Sequence, residues 1–240
     1  NPMLFWLTTQ DAAIGDELGD NYLDLNGGDF EAVNVYFLGL DADATIGPAN
    51  VWFTGIYEGG TAEGATAAVE DVDISAFLVA LGGGANFGMF EAHGQVFYAT
   101  GDDGKDADKL DAFWIPTSGQ SYYWAEIMGF GVFDEQVSNG SPADAISNIL
   151  AVGIGGKLSP MEKLSLGIDL WYAQLAEEDA FGDKDLGTEV DFTVKYALME
   201  DLDLTVVAAY LFAGDATDPT DDNDDTANPF ELGAQISFSF

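Results

Sequence analysis

Apolar and polar positions alternate one for one from Pro229 to Phe240. Phe230, Leu232, Ala234, Ile236, Phe238 and Phe240 fall on one side of the segment, and Glu231, Gly233, Gln235, Ser237 and Ser239 on the other. Successive side chains of a β-strand point to opposite faces, so the pattern predicts a strand with one oily and one wet face. The same dyad recurs upstream. Val190, Phe192, Val194, Tyr196 and Leu198 alternate with Glu189, Asp191, Thr193 and Lys195. Leu204, Val206, Ala208, Tyr210 and Phe212 oppose Asp203, Thr205, Val207, Ala209 and Leu211. Leu164, Leu166, Ile168, Leu170 and Tyr172 oppose Ser165, Gly167, Asp169, Trp171 and Ala173, while Phe90, Ala92, Gly94, Val96 and Tyr98 oppose Glu91, His93, Gln95 and Phe97.

Extended along the chain, this periodicity predicts ten strands, near 3–10, 30–42, 50–58, 73–82, 89–100, 146–158, 163–175, 187–199, 202–213 and 229–240. The gaps between them alternate in length. Connections after the first, third, fifth, seventh and ninth strands are long and acidic, as at Gly101 to Ala145 and Gly214 to Asn228. Those between are short, as at Ser159 to Glu162 and Glu200-Asp201. Register stays open in strands two to four, where Val33, Val35 and Phe37 compete with Tyr36, Leu38 and Leu40, and where Phe77 to Leu81 is apolar without interruption. A strand buried on both faces reads this way, so a folded-in segment would account for the blur.

Composition limits what such strands can build. The 240 residues hold 43 Asp or Glu against six Lys and no Arg, a formal net charge of −37, yet 48% of the chain is hydrophobic. The apolar residues sit in strand-length segments and most acids in the gaps, the opposite of a disordered acidic chain. No apolar run approaches the roughly 20 residues a membrane helix needs, so membrane residence would require a closed barrel. Absence of cysteine removes a disulfide framework and thiolate metal sites. A sandwich of two sheets also uses alternating strands. It leaves the loop-length alternation unexplained, along with the aromatic strand ends Tyr172, Tyr210, Phe212, Phe230, Phe238 and Phe240, which a barrel uses as interfacial girdles.

The closing strand, with its alternate apolar residues and terminal Phe240, resembles the last strand of Gram-negative outer-membrane β-barrels, and Leu202 to Ala213 and Val51 to Gly60 look similar to porins of anaerobic proteobacteria. The resemblance is firmest over residues 146–240. It implies an all-β, transmembrane, antiparallel up-and-down barrel over residues 1–240, either complete with about ten strands or the C-terminal part of a larger one. Both termini would then lie on the periplasmic side, with short turns there and long loops outside. The resemblance implies that Phe238 and Phe240 form the signal read by the barrel-assembly machinery. Further expected partners are outer-membrane lipid and lipopolysaccharide, and either further copies of the chain or a periplasmic or extracellular protein.

Candidate chemistry follows from the wet faces. Glu58, Glu91, His93, Asp169, Glu189, Asp191, Lys195, Asp203 and Glu231 would line a lumen that repels anions and gathers cations. The competing reading is a filled barrel in which these acids pair with Lys195 and backbone donors, since about eight strands are just filled by side chains. Residues 101–145 form the longest connection and carry Phe113, Trp114, Tyr122, Tyr123 and Trp124. Burying such rings is favourable by roughly 25 cal/mol per Å², so the connection is expected to pack, either into the barrel mouth as a constriction or as an outer hairpin or subunit contact. Asp218, Asp221, Asp222, Asp224 and Asp225 offer hard oxygens that suit calcium, without the spacing of a known calcium loop. No other cofactor is expected. Catalysis is not expected either: His93 is the only histidine, and no nucleophile motif accompanies it. Phosphate loops, haem-attachment motifs and basic patches are missing, and the charge repels nucleic acid.

Overall fold

The computed structural model describes residues 1–9, 30–64, 70–106, 108–114, 124–129, 131, 146–178, 182–217 and 227–239. Ten long strands run β1 (Pro2–Thr9), β2 (Phe30–Ile46), β3 (Ala49–Gly64), β4 (Val72–Asn86), β5 (Phe90–Ala99), β7 (Ile149–Met161), β8 (Leu164–Leu175), β9 (Asp185–Met199), β10 (Leu202–Ala213) and β11 (Phe230–Phe238). Each pairs antiparallel with the next, giving one up-and-down sheet in the order β1-β2-β3-β4-β5-β7-β8-β9-β10-β11. The two-residue β6 (Lys109–Leu110) lies off this path and pairs parallel with β4 at Asp73 and Ile74. Among the described residues β1 and β11 form the two edges and do not pair with each other.

Up-and-down order puts all the short turns at one end of the sheet and all the long connections at the other. The β2–β3 hairpin shows why the strands outrun the alternation that predicts them. Asp41 and Asp43 interrupt the apolar pattern, yet Thr54 Oγ1 donates to Asp41 Oδ1 at 2.7 Å across the pair, and Thr45 stands opposite Asn50. Pairing therefore continues to Ile46 and Ala49 around a two-residue loop, Gly47-Pro48. Gly47 takes φ +62, the positive value at the first loop position that matches strand twist and that glycine adopts at no steric cost.

One face of the sheet is bare and apolar. Leu38, Leu81, Ile154, Ile168, Phe192 and Phe212 all lie on it, and Phe230 is 72% exposed. Opposite them, Val35, Ile149, Ala151 and Ala173 are fully buried. Both candidate registers of β2 are apolar because both faces are used: Tyr36, Leu38 and Leu40 lie on the bare face, and Val33, Val35 and Phe37 lie under cover. In β4 the uninterrupted run divides likewise, with Phe77, Val79 and Leu81 bare and Leu78 and Ala80 covered.

The cover comes from the connection between β5 and β7. Two of its residues are pinned to one carbonyl where it leaves β5, because Phe113 N and Asn148 N both donate to Thr100 O, at 3.0 and 3.1 Å. From there Leu110, Phe113, Trp124, Ala125, Met128 and Ile146 join the strand residues in a single buried cluster. Burial is concentrated on the half of the face nearer the long connections. Towards the short turns, β7 and β9 become exposed on both faces.

Candidate functional site

The covered face is built from cross-strand rows. One row runs Trp52, Gly82, Gln95, Gly153, Trp171, Glu189, Leu211 from β3 to β10. The next row towards the short turns runs Gly84, His93, Gly155, Asp169, Asp191, Ala209, Glu231 from β4 to β11. Neighbouring strands lie about 4.8 Å apart, so like charges directly opposite, as Asp169 and Asp191 are, repel.

Large and glycine positions interlock in the first row. A Cβ on Gly82 would strike the Trp52 indole at 2.5 Å, and one on Gly153 would overlap the Trp171 ring. Each indole is therefore seated on bare backbone of the adjacent strand. Trp124 from the folded-in connection meets Trp171 edge-on at 5.5 Å and Phe97 at 5.2 Å, the tilted geometry aromatic pairs prefer. Phe113 and Trp114 approach Phe37 at 6.4 and 6.2 Å.

Two carboxylates hold this connection. Glu58 Oε2 on β3 accepts from Trp114 N at 2.8 Å. Glu189 Oε1 on β9 accepts from Glu126 N and Ile127 N, both at 2.7 Å, and its Oε2 from Met128 N at 2.8 Å. Successive backbone amides converge on one anion here as in an anion-binding nest. Ala125, just before them, takes φ +37, a backbone position unusual for alanine and held by complete burial. Charge-assisted hydrogen bonds of this kind are about twice as strong as neutral ones.

Several residues read from alternation as water-facing are thus closed off. Glu58 and Glu189 are fully buried because the connection lies on them, and Asp191 is 1% exposed. Neither Asp191 oxygen has a hydrogen bond among the described residues, and the same holds for Glu58 Oε1 and Trp124 Nε1. His93 Nε2 meets Asp169 Oδ1 at 2.5 Å, and Lys195 Nζ meets Asp203 Oδ2 at 2.8 Å. Glu91 and Glu231 are half-buried on the same face. In the β5–β7 connection, Lys105 beside Asp103 holds that carboxyl below its ordinary range, and Asp103 raises the lysine in turn.

Phe238 is exposed on the bare face. Tyr122, Tyr123, Phe240 and the aspartates Asp218, Asp221, Asp222, Asp224 and Asp225 lie outside the described residues. Among the described residues no group of three or more histidines and carboxylates could hold a metal ion. Sequence reasoning missed Glu126, which is buried in the connection, and the joint role of Trp52, Gln95 and Trp171. The only signal for the latter was the glycines opposite them, which become informative only once strand register is known.

No family model and no curated protein matches the chain. Solved structures similar to it include Pseudomonas aeruginosa OccK5 (OpdH), with a TM-score of 0.49 and 12% identity over 87% of this chain and 51% of that one. Pseudomonas aeruginosa OccK2 (OpdF), solved in complex with glucuronate, gives a TM-score of 0.45 and 12% identity over 87% and 51%. OmpT, an outer membrane protein of Vibrio cholerae, gives 0.42 and 13% over 99% of this chain and 76% of that one. The chain thus spans about half the length of the two Pseudomonas proteins, 51% in each case.

Proposed function

We propose that the chain forms the wall of an outer-membrane channel of a Gram-negative bacterium, passing small cationic or neutral solutes, with the β5–β7 connection as its constriction. One observation carries this reading: ten successive antiparallel strands keep an exposed apolar face on one side, while the other side carries the carboxylates and an inserted segment. Lipid is the solvent that suits the first face, and strands cross it without unsatisfied backbone only in a closed array. The short turns are assigned to the periplasmic side and the long acidic connections to the outside. The likeness of Leu202 to Ala213 and Val51 to Gly60 to porins of anaerobic proteobacteria supports such a channel.

A filled barrel acting through its outer loops is the second reading, favoured by the full burial of Trp124 in the connection and of Glu58 and Glu189 beneath it. Planar-bilayer recordings separate the two. A channel gives discrete currents whose reversal potential under a KCl gradient reports cation preference, and removal of residues 113–128 raises the conductance. Absence of current from the intact chain, with none gained on that deletion, establishes the filled barrel instead.

A further inference from the structure

Just below the folded-in connection, Trp52, His93, Gln95, Asp169 and Trp171 wall a cavity of about 330 Å³. We propose that this cavity is a binding subsite for a small organic cation that carries N–H donors and an apolar body, such as an alkylammonium or alkylguanidinium ion. The proposal deepens the channel reading by naming a solute class, and rests on it for access of solutes to this face.

Size limits the occupant to one small molecule, since ligand pockets run from about 300 to 1,000 Å³. The walls then select its charge. Tryptophan is the best partner for a cation over a ring face, and both indoles are set by backbone that admits no side chain, Trp52 on Gly82 and Trp171 on Gly153. Asp169 gives Oδ1 to His93, and its Oδ2 has no hydrogen bond among the described residues. The Gln95 side chain likewise has none, leaving an amide oxygen for a second N–H. Asp191 stands directly opposite Asp169 on the neighbouring strand. His93 in the same wall is engaged by Asp169, and Lys157 faces Glu91 across β5 and β7. An anion would meet the open Oδ2 of Asp169, and a neutral polyol would gain nothing from its charge.

Isothermal titration of the full chain folded in detergent micelles tests this, with n-butylammonium, butyrate and glucose as probes. The expected result is saturable binding of n-butylammonium alone, weakened at least about tenfold by Asp169→Asn and by Trp52→Leu, a loss of about 1.4 kcal/mol or more. Should Asp169→Asn fail to fold, Trp52→Leu at the half-buried rim decides by the same criterion. Equal binding of butyrate or glucose, no saturable binding, or unchanged affinity in the folded variants overturns the proposal. Equilibrium binding is read without conduction. A chain that binds n-butylammonium yet carries no current therefore sinks the channel alone, and one that conducts but binds nothing sinks the subsite alone.

Discussion

Glu189 fastens the β5–β7 connection to β9. Its two oxygens gather three backbone amides of the connection, from Glu126, Ile127 and Met128. Glutamine keeps the shape but removes the charge and one acceptor, so Glu189→Gln is expected to cost about 2 kcal/mol or more. Urea unfolding in micelles measures the loss, and faster limited proteolysis within residues 124–131 locates it. Asp191 is the opposite case, a buried carboxylate with no donor among the described residues and Asp169 facing it. Asp191→Asn keeps the shape, removes the cost of burying an ionisable carboxyl and supplies an N–H₂, so the same unfolding midpoint should rise, by about 1 kcal/mol. A fall would show that a cation or an unseen donor normally satisfies it. Neither behaviour was legible in the sequence. Alternation put both acids on the wet face, and what each one meets there depends on a segment roughly 60 residues earlier in the chain.

Among the strands, the alternation of β7 to β11 predicts which side chains face out and which face in, because one face is apolar throughout and a one-residue slip would reverse it. The ends of β2 and β3 escaped prediction because cross-strand polar pairs sustain a ladder that hydrophobicity does not mark. Glycine placement was also illegible. Gly153 looks like a weak point in β7, where valine has the better strand propensity. The Trp171 ring occupies the space where that side chain would go. Gly153→Val is therefore expected to destabilise, by about 1–3 kcal/mol, through the displaced indole. A gain in thermal stability would show that propensity outweighs the fit.

At the scale of the whole molecule, the proposed channel sets lipid against the bare apolar face and, with a net charge of −37, an acidic path on the other. Selectivity that arises from fixed charge is screened by salt. The Debye length falls from about 10 Å at 0.1 M to about 3 Å at 1 M, so cation preference in reversal-potential measurements should shrink as KCl rises across that range. A preference that does not change with salt would point to contacts inside the narrow path instead. Composition made this level the most legible, since class and charge are sums over residues and need no pairing to be read. The anchors of the β5–β7 connection carry one more consequence. Glu58 comes before it in the chain and Glu189 after it, on strands that are far apart in the sheet order. The strap locks only when β3 and β9 are both in place, so its closure reports that the two sides of the sheet have been brought to their final spacing.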